Sequence, residues 1–148
     1  LDALTPFDVL SFTGSADTAA SIRTHNAIAR DSVRVNIEAD SLNSTILGQD
    51  ATAGSAAFDL FVDNLVRDMT IKTGQRCTAP RRALVPANLF DAVSEAASAK
   101  LAAVRAGNPR NEETTMGALV SRTQYDSVQE GLARLKTEAS VVFDGSKQ

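Results

Sequence analysis

Apolar and polar residues alternate along the chain in blocks that predict strands and helices in turn. The predicted order is strand, helix, strand, helix, strand, helix, helix, strand. The strands are expected at residues 8–12, 34–38, 82–85 and 141–143. Strands that alternate with helices are typical of an α/β protein with parallel strands, and this is the fold class that we predict.

The clearest helical pattern covers residues 56–73, where apolar side chains recur every three or four positions. Gly74 follows at the position where a left-handed residue often ends a helix. Two more helices are predicted at residues 17–30 and from Asn88 to near Gly107. The apolar positions of the 56–73 helix are Phe58, Phe61, Val62, Leu65, Val66 and Met69.

A last helix is predicted to begin after Ser121, because Ser121 and Gln124 have the spacing of a capping box. Apolar residues follow at helical spacing and would share one face of this helix. They are Tyr125, Val128, Leu132 and Leu135.

The polar stretch at residues 40–54 carries Asn, Gly and Ser and is predicted to be irregular. It is the expected boundary between two layered units. The chain opens with Leu1 and not Met, and residues 8–12 already read as a buried strand. It closes on a strand with no stop signal. We therefore expect a fragment of a longer polypeptide.

Charge and composition narrow the class of protein. The net charge of −3 and the sequence pI of about 5.1 argue against a nucleic-acid partner, which would require a basic surface. We find no apolar run of bilayer length and expect neither a membrane partner nor secretion. One cysteine cannot form an internal disulfide, and a single thiol fits a reducing, cytoplasmic setting.

Cys77 is the first candidate for chemistry. It follows the predicted 56–73 helix and lies near Arg76, Arg81 and Arg82, whose positive charge would favour the thiolate. A thiolate is a good nucleophile toward a carbonyl carbon. From the residues alone, an inert structural cysteine is the commoner explanation of this position.

Glu38 is the second candidate, because it ends a predicted strand. Residues at the carboxyl ends of parallel strands face the ligand crevice of α/β folds, and a carboxylate there can act as a general base. Asp40 is a rival carboxylate two positions later. The alternative for Glu38 is a solvated acid in a loop.

The run Phe12-Thr13-Gly14-Ser15 joins the first strand to a helix. The free N–H groups of a helix N-terminus suit a phosphate, although an ordinary strand–helix turn also explains the run. It lacks the GxGxxG dinucleotide pattern. His25, the one histidine, is expected on an exposed helix face. No cluster has zinc-ligand spacing, so we predict no metal.

Taken in order, these signals resemble the aldehyde dehydrogenase superfamily: FTGS at residues 12–15, Glu38 at a strand end, and Gly74-Gln75-x-Cys77 after a long helix. The resemblance implies that residues 1–43 form the C-terminal part of a Rossmann-like cofactor domain. It implies that residues 54–148 form part of the α/β catalytic domain. Gly107-Asn108-Pro109 and the run from Met116 to Ser121 match further family segments.

Two runs depart from most members and resemble one subgroup, the aldehyde dehydrogenase domain of the bifunctional ring-opening protein of phenylacetate degradation. They are EADSLN at residues 38–43 and MTIKTGQRCTAPRR at residues 69–82. The semialdehyde dehydrogenase of aerobic benzoyl-CoA degradation is a similar alternative. The subgroup implies a CoA-linked semialdehyde as substrate, NADP as cofactor with NAD possible, a homo-oligomeric parent and possibly a fused hydratase domain.

The resemblance also assigns roles to residues. Cys77 would be the catalytic thiolate and Glu38 the general base, while Thr13, Gly14 and Ser15 would bind the cofactor. The family's oxyanion asparagine would lie upstream of these residues and its ribose-binding acid downstream, so the isolated chain is expected to be inactive. A catalytically silent, aldehyde-dehydrogenase-like structural protein is the alternative from another class.

Overall fold

A computed structural model describes residues 1–147, which form two compact units. The first unit is Leu1–Ser41, and the second begins at Leu42. The boundary falls at the start of the polar stretch where a division was expected. Leu42 and Asn43 belong to the second unit, although they were expected to end the first.

The first unit is a β–α–β arrangement. Strands β1 and β2 are parallel and pair in register from Val9 with Arg34 to Gly14 with Ala39. The connection crosses over through helices, as parallel pairing requires. Small and branched apolar side chains, Ala19, Ile22, Ala27 and Val33, are buried in this unit. Its elements are β1 (Val9–Gly14), α1 (Ala16–Thr24), α2 (Asn26–Ala29) and β2 (Arg34–Ala39).

The single helix predicted at residues 17–30 was wrong, because His25 divides it. The backbone of His25 is extended, and its Nδ1 accepts a hydrogen bond of 3.2 Å from the amide of Ala27. The ring therefore caps α2 instead of lying on an exposed helix face. Its Nε2 lies 3.3 Å from a carboxylate oxygen of Asp2, and the side chain is half-buried.

The second unit combines a parallel strand pair with three longer helices. Strand β3 pairs with β4, and the register shifts between Asn43 and Ser44. Its elements are β3 (Asn43–Ile46), α3 (Ala56–Thr70), β4 (Pro80–Leu84), α4 (Phe90–Ala102) and α5 (Arg122–Glu138), with short 3-10 turns at Ile71–Gly74, Ala87–Leu89 and Gly145–Lys147.

The core of the second unit forms around α3. Val62 is 1% exposed, and the predicted stripe is confirmed except for Met69, which is 42% exposed. The stripe packs with Leu47 after β3 and with Leu89 and Val93 at the start of α4. Ser55 caps α3 by accepting from the amide of Phe58 at 3.3 Å.

Two expectations about strands in the second unit were wrong. The polar stretch at residues 40–54 contains β3, whose partner β4 lies almost 40 residues further along the chain. Local polarity could not reveal that pairing. The strand expected at residues 141–143 is irregular. Instead, the segment is held to α5 by Asp144, which pairs with Lys136 at 2.9 Å. Hydrogen bonds from Ser146 and from Lys136 hold the pKa of Asp144 well below its usual value.

Helix α5 begins as predicted: the hydroxyl oxygen of Ser121 accepts from the amide of Gln124 at 3.1 Å. Its apolar face exists, but Tyr125, Val128 and Leu135 are exposed. Leu132 and Leu135 line a groove of about 400 Å³ together with residues of α4. The helix predicted from Asn88 ends earlier than Gly107, at Ala102.

Val62→Ala should lower the free energy of unfolding by about 2–3 kcal/mol, because it removes buried apolar contacts and leaves a cavity. Leu60→Ala is the matched control, since Leu60 lies on the same helix and is 62% exposed. We expect less than about 0.5 kcal/mol from the control. Urea unfolding followed by circular dichroism measures both, and equal losses would contradict the assignment of the buried face.

Candidate active site around Cys77

Cys77 lies in an exposed turn between α3 and β4. The turn spans residues 76–79 and is closed by a hydrogen bond of 3.1 Å from the amide of Ala79 to the carbonyl of Arg76. The thiol is free and exposed, while Ala79 is 1% exposed. The chain therefore presents the sulfur to solvent from a turn whose far end is anchored in the interior.

The path from α3 to this turn contains three consecutive residues in the left-handed region. Their φ angles are 52° at Lys72, 59° at Thr73 and 69° at Gly74. Glycine adopts this region freely, but a β-branched residue such as Thr73 is strained there. Glycine is also favoured at position 74 because a Cβ atom would lie 3.1 Å from the carbonyl oxygen of Met69, a tight contact. At the helix end that was expected at Gly74, the chain turns through three left-handed residues, Lys72 to Gly74.

Two side chains tie this run to the segment at residues 117–120. The hydroxyl of Thr73 donates to the carbonyl of Gly117 at 2.9 Å. The side-chain oxygen of Gln75 accepts from the amide of Val120 at 2.8 Å, and its Nε2 donates to the carbonyl of Lys72 at 3.0 Å. Hydrogen bonds between residues so distant in sequence fix the strained run that neighbouring residues alone would not hold.

The arginines near Cys77 serve partly as structural donors. Arg81 donates to the carbonyl of Gly74 at 3.2 Å, and Arg82 donates to the carbonyl of Leu42 at 3.3 Å. Arg81 is the extra residue at the register shift of β4, where Asn43 pairs with Pro80 and Ser44 with Arg82. A bulge of this kind redirects a side chain, and here it directs Arg81 toward the run that precedes Cys77.

Asn43 contacts the turn from the opposite strand. Its Nδ2 donates to the carbonyl oxygens of Cys77 at 2.5 Å and of Ala79 at 3.2 Å. The amide is half-buried at the start of β3. The carbonyl group of the candidate nucleophile is therefore satisfied by a side chain from another strand.

In the first unit, the other candidates meet at the carboxyl ends of β1 and β2. Thr13 pairs with Glu38 and Gly14 with Ala39. Ser15 caps α1 by accepting from the amide of Thr18 at 3.3 Å. Glu38 is exposed there. This arrangement places a carboxylate beside a helix N-terminus at the sheet edge where α/β folds bind ligands.

A side chain at Gly14 would require the ring of Phe12 to move. A Cβ atom there would come within 2.5 Å of the ring of Phe12. The backbone of Gly14 also accepts a hydrogen bond of 3.2 Å from the amide of Asp40, a residue with φ of 54°. The rival carboxylate Asp40 thus has its main chain fixed beside Gly14. A glycine that leads directly into a helix N-terminus fits a dinucleotide phosphate.

Three residues gained roles that the sequence patterns did not assign. Asn43, Thr73 and Gln75 hold the Cys77 turn through partners 34 to 45 positions away. Gln75 and Asn43 both lie in the runs that carry the family resemblance, and that was the one signal available for them. Cys77 belongs to the second unit, whereas Thr13, Gly14, Ser15 and Glu38 belong to the first.

A sequence model of the aldehyde dehydrogenase family matches residues 4–148. The chain belongs to the aldehyde dehydrogenase family. It is 56% identical over 145 residues to 3,4-dehydroadipyl-CoA semialdehyde dehydrogenase of Aromatoleum evansii, covering 98% of the chain and 28% of that protein. It is 33% identical over 138 residues to 3-succinoylsemialdehyde-pyridine dehydrogenase of a Pseudomonas species, covering 93% and 28%.

Solved structures of this family share the fold. Betaine aldehyde dehydrogenase of Staphylococcus aureus in complex with NAD+ superposes with a TM-score of 0.78 at 26% identity, covering 89% of the chain and 25% of that structure. A double mutant of the same enzyme gives a TM-score of 0.80 at 25% identity, covering 91% and 26%. The predicted α/β aldehyde dehydrogenase fold is confirmed. The chain spans about a quarter of the proteins that it matches.

None of the helices in residues 1–147 has both the length and the apolar character needed to cross a bilayer. Over the same residues, His, Cys, Asp and Glu side chains form no group of three or more that could hold a metal ion.

Gln75→Ala should speed hydrogen exchange at the amide of Val120 by about fivefold, because it removes the acceptor of a hydrogen bond worth ~1 kcal/mol. Gln124→Ala in the first turn of α5 is the matched control, since it leaves the bond between Gln75 and Val120 in place. Exchange resolved at single amides by NMR measures the effect. Equal protection of Val120 in both variants would show that Gln75 does not hold the 117–120 segment.

Proposed function

We propose that Cys77 is the nucleophile of an NAD(P)-dependent dehydrogenase that oxidises a CoA-linked semialdehyde to an acid. The observation that carries this proposal is the exposed Cys77 thiol on a turn fixed by Asn43, Thr73 and Gln75. The similarity to a CoA-semialdehyde dehydrogenase supports the substrate class. The complete activity would belong to a polypeptide of the relatives' full length that contains these residues.

The chemistry follows from a thiolate held in a fixed position. Its sulfur attacks the aldehyde carbon and forms a thiohemiacetal. A bound nicotinamide cofactor would supply the hydride acceptor for this oxidation, which leaves a thioester on Cys77. Glu38 takes a proton from water, whose oxygen adds to the thioester carbon and releases the acid and the thiolate. Oxidation and hydrolysis are thereby divided into two covalent steps.

The cofactor would be held at the carboxyl end of β1. Thr13, Gly14 and Ser15 lead from β1 into α1, whose N-terminal N–H groups suit a phosphate. Ser15 fixes the first turn of the helix through its bond to Thr18. These residues position the cofactor, whose own ring carries the redox chemistry.

In a full-length protein, Cys77→Ser should abolish aldehyde oxidation, because a serine hydroxyl without an adjacent base is a poor nucleophile. Glu38→Gln should retain the first burst of reduced cofactor and lose about a hundredfold or more in steady-state turnover, since deacylation loses its base. Stopped-flow absorbance with a CoA-linked semialdehyde separates the two phases. The 148-residue chain alone is the expected inactive control.

The full-length protein also tests the alternative of a catalytically silent structural protein. Iodoacetamide at neutral pH should label Cys77 faster than it labels free cysteine. Labelling no faster than free cysteine, together with no cofactor reduction, would favour the silent protein and contradict the proposed function.

We further propose NADP as the preferred cofactor, with Arg23 and Arg30 as candidates for the 2′-phosphate. The double variant Arg23→Ala/Arg30→Ala should raise KM for NADP by about tenfold and leave KM for NAD unchanged, because a hydrogen bond to a charged group is lost. Arg34→Ala, on β2, is the matched control. Fast turnover of the unaltered enzyme with NAD but not NADP would contradict this assignment.

The remaining proposals concern the setting of the enzyme. The name of the A. evansii relative supports a CoA-linked semialdehyde for both the phenylacetate and the benzoyl-CoA alternatives, and both stay open. We propose a cytoplasmic, homo-oligomeric parent, with a fused hydratase domain as the arrangement that would distinguish the phenylacetate alternative.

A further inference from the structure

The peptide group that follows Cys77 has no main-chain partner within its own turn. The turn is closed by the carbonyl of Arg76 and the amide of Ala79, so the carbonyl of Cys77 is left outside that bond. Such a central peptide can rotate between turn types at small cost, because the closing bond does not fix it. Rotation would change the ψ angle of Cys77 and the direction of the adjacent amide of Thr78.

The β-ladder cannot fix this peptide either. β4 begins at Pro80, which has no N–H group and cannot donate to β3. Main-chain pairing between the strands therefore does not extend upstream to the turn. The register shift after Asn43 separates the turn further from the regular ladder.

Asn43 makes the connection that the ladder lacks. Its side-chain nitrogen reaches the carbonyl oxygens of both Cys77 and Ala79. Both N–H groups of the Asn43 side chain are thereby engaged, one by the carbonyl of Cys77 and one by the carbonyl of Ala79. A half-buried side chain on a strand is a rigid support, because its own main chain is held by the pairing of Asn43 with Pro80.

We propose that Asn43 is a positioning residue for the reaction, and that it fixes the orientation of the peptide after Cys77. This inference rests on the proposed function of Cys77. Asn43 does not act as a donor to the substrate oxygen, because both of its N–H groups are engaged by the protein. Its contribution is to keep the sulfur and the adjacent amides in the geometry from which attack occurs.

The test replaces the amide by an apolar group of similar shape in the full-length enzyme. Asn43→Leu should lower kcat by about a hundredfold, the loss that a displacement of about 1 Å at a reacting group can cause. KM for the aldehyde and the dissociation constant of the nicotinamide cofactor should stay the same. Ser44→Ala, the next position of β3 and an exposed one, is the matched control with unchanged kcat.

Active-site titration distinguishes positioning from folding. Iodoacetamide counts the reactive thiols, and kcat is then expressed per titrated Cys77. A hundredfold lower kcat per titrated thiol in Asn43→Leu supports the proposal. An unchanged kcat per titrated thiol, with only fewer active molecules or a lower melting temperature, overturns it.

The two hypotheses fail in different ways. If Cys77→Ser retains full turnover in the same background, the proposed function itself is wrong. If Cys77→Ser is inactive while Asn43→Leu matches Ser44→Ala, the proposed function stands and the positioning role of Asn43 is excluded.

Discussion

The burial of one face of α3 is the constraint on which the second unit depends. Val62 and its neighbours pack against residues that follow β3 and begin α4, so the helix is fixed along most of its length. The Cys77 turn begins only a few residues after this helix ends. A rigid helix on one side and the anchored Ala79 on the other leave the intervening segment few conformations.

Within that segment, strain and hydrogen bonding act together. The left-handed residues Lys72, Thr73 and Gly74 reverse the chain sharply, which costs conformational energy at the two that are not glycine. Thr73 and Gln75 offset this cost by bonding to the 117–120 segment. Asn43 holds the turn from the opposite strand. The exposed thiol is thus carried on a short loop that is hydrogen-bonded to β3 and to the 117–120 segment.

Sequence patterns revealed the parts that depend on local periodicity or local motifs. The stripe of α3, the capping of α5 by Ser121 and the existence of strands β1 and β2 follow from spacing and composition, although each strand extends one or two residues past its predicted end. The family resemblance singled out Cys77. These features could be predicted because each is encoded within a few consecutive turns or residues.

Long-range contacts could not be predicted in this way. Strand β3 lies in a polar stretch and becomes regular only by pairing with β4. His25 divides the first helix because its ring accepts from Ala27, a competition between side chain and main chain that periodicity does not show. The apolar face of α5 could be predicted from the spacing of its residues. Whether that face is buried or exposed depends on which other elements pack against it. The role of Asn43 requires knowing that residue 43 meets residue 77.

The three side chains that secure the Cys77 turn share one property: each forms hydrogen bonds with main-chain atoms. Asn43, Thr73 and Gln75 bond to carbonyl oxygens and one amide, groups that every residue other than proline supplies. The side chains of Arg76 and Thr78 take no part in these hydrogen bonds. Residues 76 and 78 can therefore change in size and polarity without removing a hydrogen bond that holds the turn, and the placement of the sulfur does not depend on the side chains next to it.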